Sequence, residues 1–112
     1  MILRKTIDFA LLVIKYSEVL ESQKKFVIAR QLLRSGTGVG ANIHEAQNAE
    51  SKADFVHKFK IAAKEAEETR YWLTLCAESE GYPDCTMLQE KLFEIEKLIN
   101  KIIATSKKRL VN

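Results

Sequence analysis

The sequence of 112 residues is long enough for one domain, residues 1–112, and too short for a second. Hydrophobic residues make up 46% and charged residues 29%, a balance that excludes a disordered or membrane-spanning chain. One proline and four glycines are too few for the many turns of a β-sandwich or β-barrel. The composition therefore favours an all-α protein.

The formal net charge of +3 hides an uneven distribution of charge along the chain. Residues 1–64 carry a balance of +5, residues 65–96 a balance of −7 and residues 97–112 a balance of +5. Separate basic and acidic zones are suited either to binding a polyanion or to pairing with other copies of the same chain. The charge distribution leaves both interpretations open.

Apolar residues recur every three or four positions in four segments, which predicts helices at about residues 3–21, 26–49, 52–79 and 86–108. Ser51, with Asp54 three residues later, predicts the start of the third helix. Gly81 and Pro83 predict a break before the fourth helix. Because short connections join neighbouring helices in a near-antiparallel arrangement, we expect an antiparallel up-down four-helix bundle.

Three of the four glycines, Gly36, Gly38 and Gly40, alternate with other residues inside the second predicted helix. A phosphate-binding loop would need a lysine after the glycines, and a dinucleotide site would need a preceding strand. Neither is found, and the apolar spacing continues through the glycines. We predict an uninterrupted helix that another helix approaches closely, which offsets a cost of about 1 kcal/mol for each glycine.

The first predicted helix carries two apolar lines, which together are wider than one bundle interior requires. One line is Leu3, Ile7, Ala10 and Ile14, and the other is Phe9, Val13, Tyr16 and Leu20. We expect one line to fill the bundle and the other to pack against a second copy of the chain. The candidate oligomer-interface residues are Phe9, Val13, Tyr16, Leu20, Tyr71 and Trp72.

The second and third predicted helices bring charged residues of opposite sign together. If the turn between them is centred near residue 50, residues whose numbers sum to about 100 face each other, which places Arg34 near Glu65 and Glu68. We predict a partly buried polar network that fixes the helix register. Its predicted members are Arg34, Asn42, Glu45, Glu65 and Glu68. The alternative is a solvated ion pair worth less than about 1 kcal/mol.

The sequence predicts neither a metal site nor a catalytic site. A di-iron bundle needs two carboxylate-x-x-His motifs, and only Asp54 with His57 approaches this pattern. Cys76 and Cys85 lack metal-ligand spacing and are expected to be reduced packing residues near the last turn. Because Asp8 interrupts the apolar N-terminal stretch and no cleavage site follows, we expect a cytoplasmic protein. We further expect no enzymatic activity, no cofactor, no metal and no membrane association.

Basic side chains recur at helical spacing on three of the predicted helices. Such stripes can follow a phosphate backbone, although on one chain they are also typical of an ordinary solvated face. Repeated around an oligomer, the same stripes would add to a strong positive field. The candidate nucleic-acid-binding residues are Arg30, Arg34, Lys60, Lys64, Lys97, Lys101 and Lys108.

Two segments resemble the signatures of a known family. Residues 34–46, RSGTGVGANIHEA, and residues 64–73, KEAEETRYWL, resemble in the same order the two motifs of the 23S rRNA intervening sequence proteins. The resemblance implies a bacterial, cytoplasmic four-helix bundle that assembles into homo-oligomeric rings, pentamers where known. A related branch comprises accessory proteins of diversity-generating retroelements, which are basic rings that engage nucleic acid. No established biochemical activity comes with the main branch.

These observations favour a non-enzymatic, ring-forming bundle that associates with structured RNA or a nucleoprotein through its basic stripes. The association with RNA depends largely on the family resemblance. The alternative is a protein-only scaffold or adaptor, whose charged zones bind other copies of the chain or a partner protein. Salt dependence distinguishes the two, because only binding to phosphates weakens in proportion to the number of phosphate contacts.

Overall fold

The computed structural model describes the backbone of residues 1–111 and the side chains of residues 1–108. The described chain forms four α-helices: α1 (Ile2–Ser22), α2 (Phe26–Ala46), α3 (Lys52–Glu78) and α4 (Thr86–Val111). Each helix end lies within three residues of its predicted position. The predicted all-α fold is confirmed.

The four helices enclose one core, because each packs against its neighbours in the chain and α1 also packs against α4. The connections at residues 23–25, 47–51 and 79–85 are short, so each one reverses the direction of the chain. The bundle is 51 Å long and 21 Å across in each of the other directions. It is the antiparallel up-down four-helix bundle that the sequence predicts.

The connection between α2 and α3 starts earlier than the apolar spacing predicts. The backbone N–H groups of residues 47–49 each donate to the carbonyl three residues earlier, at 3.2, 3.0 and 3.1 Å. These bonds tighten the chain and end the α-helix at Ala46 rather than at about residue 49. The predicted cap of α3 is present, because Ser51 Oγ accepts a hydrogen bond of 3.0 Å from the backbone N–H of Asp54.

The connection between α3 and α4 is held against α1 by a hydrogen bond. Gly81 adopts a φ of +80°, a left-handed conformation that favours glycine, and lies in the turn after α3, which itself ends at Glu78 with Ser79 in extended backbone. The hydroxyl of Tyr16 in α1 donates to the carbonyl oxygen of Pro83 at 2.7 Å. Cys76 and Cys85 are both buried beside this connection, where they pack as small apolar residues.

The second apolar line of α1 lies inside the bundle. Phe9, Val13 and Leu20 are at most 1% exposed, and Tyr16 is 8% exposed. The prediction that these four residues form an oligomer interface is wrong, because they fill the core of their own chain. The helix phase places them towards α2 and α4 and leaves the other line at the surface.

The outer surface of α1 retains apolar side chains. Ile7, Leu11 and Ile14 are each between 37% and 51% exposed, and they recur at intervals of four and three residues. Side chains at this spacing share one side of a helix. A continuous apolar stripe therefore remains uncovered on α1 in the single chain.

The glycines of α2 lie where other helices approach it. A Cβ placed on Gly36 would lie 2.8 Å from Val13 Cγ1 of α1, and a Cβ on Gly40 would lie 3.0 Å from Thr6 Cβ. The helix runs through all three glycines without interruption. The predicted close approach is therefore confirmed, and it occurs between α1 and α2.

Candidate nucleic-acid interface

Arg34 joins a polar network between α2 and α3. Its Nη1 lies 3.4 Å from Glu65 Oε2, and its Nη2 contacts the carboxylate of Glu68. The same carboxylate accepts a hydrogen bond of 3.0 Å from the indole Nε1 of Trp72. Arg34 is about half exposed, and Glu65 and Glu68 are 23% and 35% exposed, so the network lies at the edge of the bundle. The structure thus brings together three of the five predicted network members.

The other two predicted members lie outside this network. The side-chain amide of Asn42 donates to the carbonyl of Gly38 in its own helix at 2.8 Å. The Glu45 carboxylate lies 3.5 Å from the ammonium of Lys58, near the turn between α2 and α3. The prediction that Asn42 and Glu45 belong to the Arg34 network is wrong, because helix phase and distance separate them from it.

The contacts that Arg34 makes in this network argue against its prediction as a nucleic-acid-binding residue. Its guanidinium is already surrounded by two carboxylates, and Gln31 Oε1 accepts a further bond from it at 3.1 Å. Because the two carboxylates compensate its positive charge, Arg34 attracts a phosphate only weakly. Arg30 lies one turn earlier on α2 and is exposed, so it keeps its charge at the surface.

Two lysines from different helices lie close together towards the end of the bundle where α1 begins. Lys60 of α3 lies beside Lys107 of α4, and the ammonium of Lys107 lowers the pKa of Lys60 by charge repulsion. Both side chains are exposed, and neither forms an ion pair among the described side chains. We refer to Lys60 and Lys107 as the lysine pair.

Lys60 is among the nucleic-acid-binding residues predicted from the sequence, whereas Lys107 is not. The stripe predicted for α4 follows Lys97, Lys101 and Lys108, which is a different side of the helix. Glu96 lies 3.5 Å from Arg70 of α3, which identifies the side of α4 that packs towards α3. Lys107 follows Glu96 by eleven residues, or three helical turns, and therefore shares that side. This spacing is the sequence signal from which Lys107 could have been found.

The remaining candidate lysines are spread along α3 and α4. Lys64 is exposed one turn after Lys60, and Lys108 is exposed next to Lys107. The ammonium of Lys97 lies over the ring of Phe93, 4.8 Å from its centroid. Lys60 and Lys108 thus lie towards one end of the bundle, whereas Lys64 and Lys97 lie near the middle of their helices.

Lys101 borders a cavity at the same end of the bundle as the lysine pair. The cavity has a volume of about 430 Å³ and opens to solvent where α1 begins and α4 extends past it. Ile2, Phe55, Phe59 and Ile102 provide its apolar lining, and Gln47, Lys101, Thr105 and Ser106 provide polar groups. We refer to it as the end cavity. It could not be predicted from the apolar spacing, because it depends on how the ends of all four helices are placed relative to one another.

The two aromatic interface candidates of α3 lie at the surface. Tyr71 is 57% exposed, and Trp72 is half-buried against the core. Their rings pack edge to face with centroids 5.2 Å apart. Trp72 is held by the Glu68 carboxylate, so Tyr71 is the more accessible of the two rings.

The described residues contain no group of three or more His, Cys, Asp or Glu side chains that are close enough to hold a metal ion. His57 is exposed on α3, and the nearby Asp54 accepts a backbone hydrogen bond from Glu50 at 3.1 Å. The Asp54 carboxylate therefore stabilises the backbone at the start of its helix. Within the described chain, every helix is too short or too polar to cross a membrane.

Comparisons with known proteins agree on one family. A family model described as 23S rRNA-intervening sequence protein matches residues 1–103. A solved structure from Bacteroides thetaiotaomicron, described as a protein with unknown function from the S23 ribosomal protein family, is 42% identical, with a TM-score of 0.86. That match covers 92% of this chain and 98% of the other, whereas no curated protein matches. The chain belongs to the family of 23S rRNA-intervening sequence proteins.

Proposed function

We propose that this protein is a non-enzymatic, homo-oligomeric bundle that associates with RNA or a nucleoprotein through the end of the bundle that carries the lysine pair. The observation that carries the proposal is the register of α3 and α4, which places Lys60 and Lys107 level with each other. Arg70 of α3 contacts Glu96 of α4 at 3.5 Å, and Lys60 lies ten residues before Arg70 while Lys107 lies eleven residues after Glu96. Two exposed ammonium groups that repel each other are stabilised when an anion binds between them. A phosphate group of a nucleic-acid backbone supplies that anion.

Ion pairs occupy two arginines that lie away from this end. Arg34 is occupied by Glu65 and Glu68, and Arg70 lies 3.5 Å from Glu96. Their charges stabilise the bundle and contribute less to an external field. The lysine pair, with Lys64 and Lys108 beside it, keeps its charge available for a polyanion.

Self-association is the second part of the proposal. The stripe of Ile7, Leu11 and Ile14 remains exposed on α1, and an apolar surface of this kind is suited to a contact between copies. The family resemblance implies a ring, and pentamers are the known form. In a ring the lysine pair would be repeated once in each subunit, so that weak phosphate contacts add to a strong interaction. We also propose a cytoplasmic location, where RNA is present.

The family resemblance implies a related branch of accessory proteins of diversity-generating retroelements, and analogy with that branch supports the same function, because those proteins engage nucleic acid as basic rings. The alternative function is a protein-only scaffold or adaptor. The exposed apolar stripe of α1 favours it, since such a stripe fits a protein partner as well as a second copy.

The proposed function is tested by fluorescence anisotropy with a labelled structured RNA at about 50 and 200 mM salt. The mass of the protein in solution is measured on the same sample. We expect a mass above that of one chain, and micromolar or tighter binding that weakens steeply as salt rises. Absence of binding at the lower salt concentration would contradict the RNA function and favour the protein-only scaffold.

A further inference from the structure

The end cavity combines three kinds of chemistry beside the lysine pair. Phe55 is half-buried, and its ring packs against the buried ring of Phe59 with centroids 4.7 Å apart. Lys101 and Thr105 provide a cation and a hydroxyl group at the side of α4. One cavity thus contains an aromatic surface, a hydrogen-bonding group and a positive charge.

The cavity and the lysine pair are neighbours on both helices. Lys60 follows the cavity residue Phe59 on α3, and Lys107 follows the cavity residue Ser106 on α4. Successive residues on a helix differ by about 100° in direction, so each lysine projects next to the cavity lining rather than into it. The positive charges therefore lie at the rim, and the aromatic surface lies within.

We infer that the end cavity binds the base of an unpaired nucleotide, while the lysine pair contacts the phosphates on either side of that nucleotide. Bases stack on aromatic side chains irrespective of their sequence, and their edges hydrogen bond with hydroxyl and amide groups. The volume of about 430 Å³ lies in the usual range of small-ligand sites. This inference rests on the proposed function and specifies the form of RNA that the protein recognises.

The inference predicts that the protein prefers a single strand to a duplex, whereas charge alone would favour the duplex. A duplex carries about twice the charge of a single strand over the same length, so a purely electrostatic surface binds the duplex at least as well. Bases within an A-form duplex are stacked on each other and cannot enter the cavity. A preference for the single strand therefore reports on contact with the base.

The test measures the affinity of the whole protein at low salt for three labelled ten-nucleotide ligands of equal length. They are an unpaired RNA strand, the same sequence as a duplex, and a strand whose internal nucleotides lack bases. We expect the unpaired RNA to bind about 5- to 150-fold more tightly than the strand without bases, the range found for base–aromatic stacking. We also expect it to bind more tightly than the duplex.

A variant localises this preference to the cavity. Phe55→Leu keeps an apolar side chain against Phe59 but removes the stacking ring, and it should lose most of the preference for bases. Phe26→Leu is the matched control, because Phe26 is a half-exposed phenylalanine at the opposite end of the bundle. It should bind all three ligands as the unchanged protein does. Circular dichroism establishes that both variants are folded.

Two outcomes overturn the inference and separate it from the proposed function. Equal, salt-sensitive binding to the strand with bases and the strand without bases would leave RNA association intact but remove the base-binding cavity. A preference for bases that Phe55→Leu retains would also overturn the assignment of the cavity. If none of the ligands binds at low salt, the proposed function itself fails.

Discussion

Gly36 of α2 lies directly against Val13 of α1, where a Cβ on the glycine would come within 2.8 Å of Val13 Cγ1. Real Cβ atoms do not approach other atoms so closely, so any larger residue at position 36 must displace α1 or Val13. Val13 is fully buried, so a shift of its side chain would disturb the packing of the core. The close approach of the two helices therefore depends on the missing side chain of Gly36.

Replacing Gly36 with alanine should destabilise the fold. Overpacking against Val13 costs about 1–3 kcal/mol, and the higher helix propensity of alanine returns up to about 1 kcal/mol. The free energy of unfolding in urea measures the difference. Gly38→Ala is the control, because its Cβ would come closest to the carboxylate of Glu65, which is partly exposed and can shift more readily than a buried valine. A Gly36→Ala protein as stable as Gly38→Ala would contradict this account of the helix contact.

The loss of stability caused by reversing one charge of the Arg34–Glu68 pair should be partly rescued when the two residues are exchanged. Arg34→Glu and Glu68→Arg each place like charges together, and each should cost about 0.5–1 kcal/mol because the pair is partly exposed. The double variant restores opposite charges across α2 and α3. A thermodynamic cycle of urea unfolding should give a favourable coupling of about 0.5–1 kcal/mol. Strictly additive effects would contradict a role of this pair in holding the two helices together.

Removing the hydroxyl of Tyr16 should loosen the connection before α4. Burial raises the pKa of Tyr16, so the phenol stays protonated and continues to donate to the Pro83 carbonyl, 2.7 Å away. Tyr16→Phe keeps the ring and loses this bond, which should cost about 1–1.5 kcal/mol of stability. Thermal unfolding provides the measurement. An unchanged melting temperature would indicate that the hydrogen bond contributes nothing to the fold.

The stability contributed by Glu96 should decline as pH rises. Burial raises the pKa of Glu96, and the nearby Arg70 only partly opposes this effect. The folded state therefore holds the proton more tightly than the unfolded state, so this contribution is complete at low pH and is lost as pH rises through the folded pKa. Glu96→Gln removes the titration. Its stability relative to the unchanged protein should increase as pH rises from below the ordinary pKa of a glutamate towards neutral.

Urea unfolding at several pH values in that window tests the prediction for Glu96. Glu90→Gln is the matched control, since Glu90 is an exposed glutamate on the same helix. Its difference from the unchanged protein should not follow the trend seen for Glu96→Gln. If the two variants show the same pH dependence, burial of Glu96 is not the cause.

The fold was predictable because several independent signals agreed along the chain. The apolar spacing, the Ser51 cap and the Gly81 turn each depend on local chemistry, which the sequence displays directly. The contact of Arg34 with Glu65 and Glu68 was also within reach, because an antiparallel helix pair fixes which residues face each other. Predicting such features requires only the phase of each helix and the position of the turn between them.

The rest depends on which side of a helix faces inward. Two apolar lines on α1 looked equivalent, and only the packing of α2 and α4 decided that Phe9 and Val13 fill the core. The position of Lys107 required the rotation of α4, and Asn42 turned out to bond within its own helix. The end cavity is lined by residues of α1, α3 and α4 and of the connection after α2, and spacing within a single helix does not reveal how these segments meet.

The salt dependence of RNA binding by a lysine-pair variant tests the central claim most directly. Lys60→Gln combined with Lys107→Gln removes two proposed phosphate contacts. Lys15→Gln combined with Lys24→Gln removes the same charge from exposed lysines at the opposite end of the bundle. Binding of each protein to one unpaired RNA strand is measured between about 50 and 200 mM salt.

We predict that the lysine-pair variant binds more weakly and that its log–log salt slope falls by about 1.4, or about 0.7 for each lost contact with a single strand. The control variant should keep the slope of the unchanged protein. Equal losses in the two variants, or no RNA binding by the unchanged protein at the lowest salt concentration, would contradict the account.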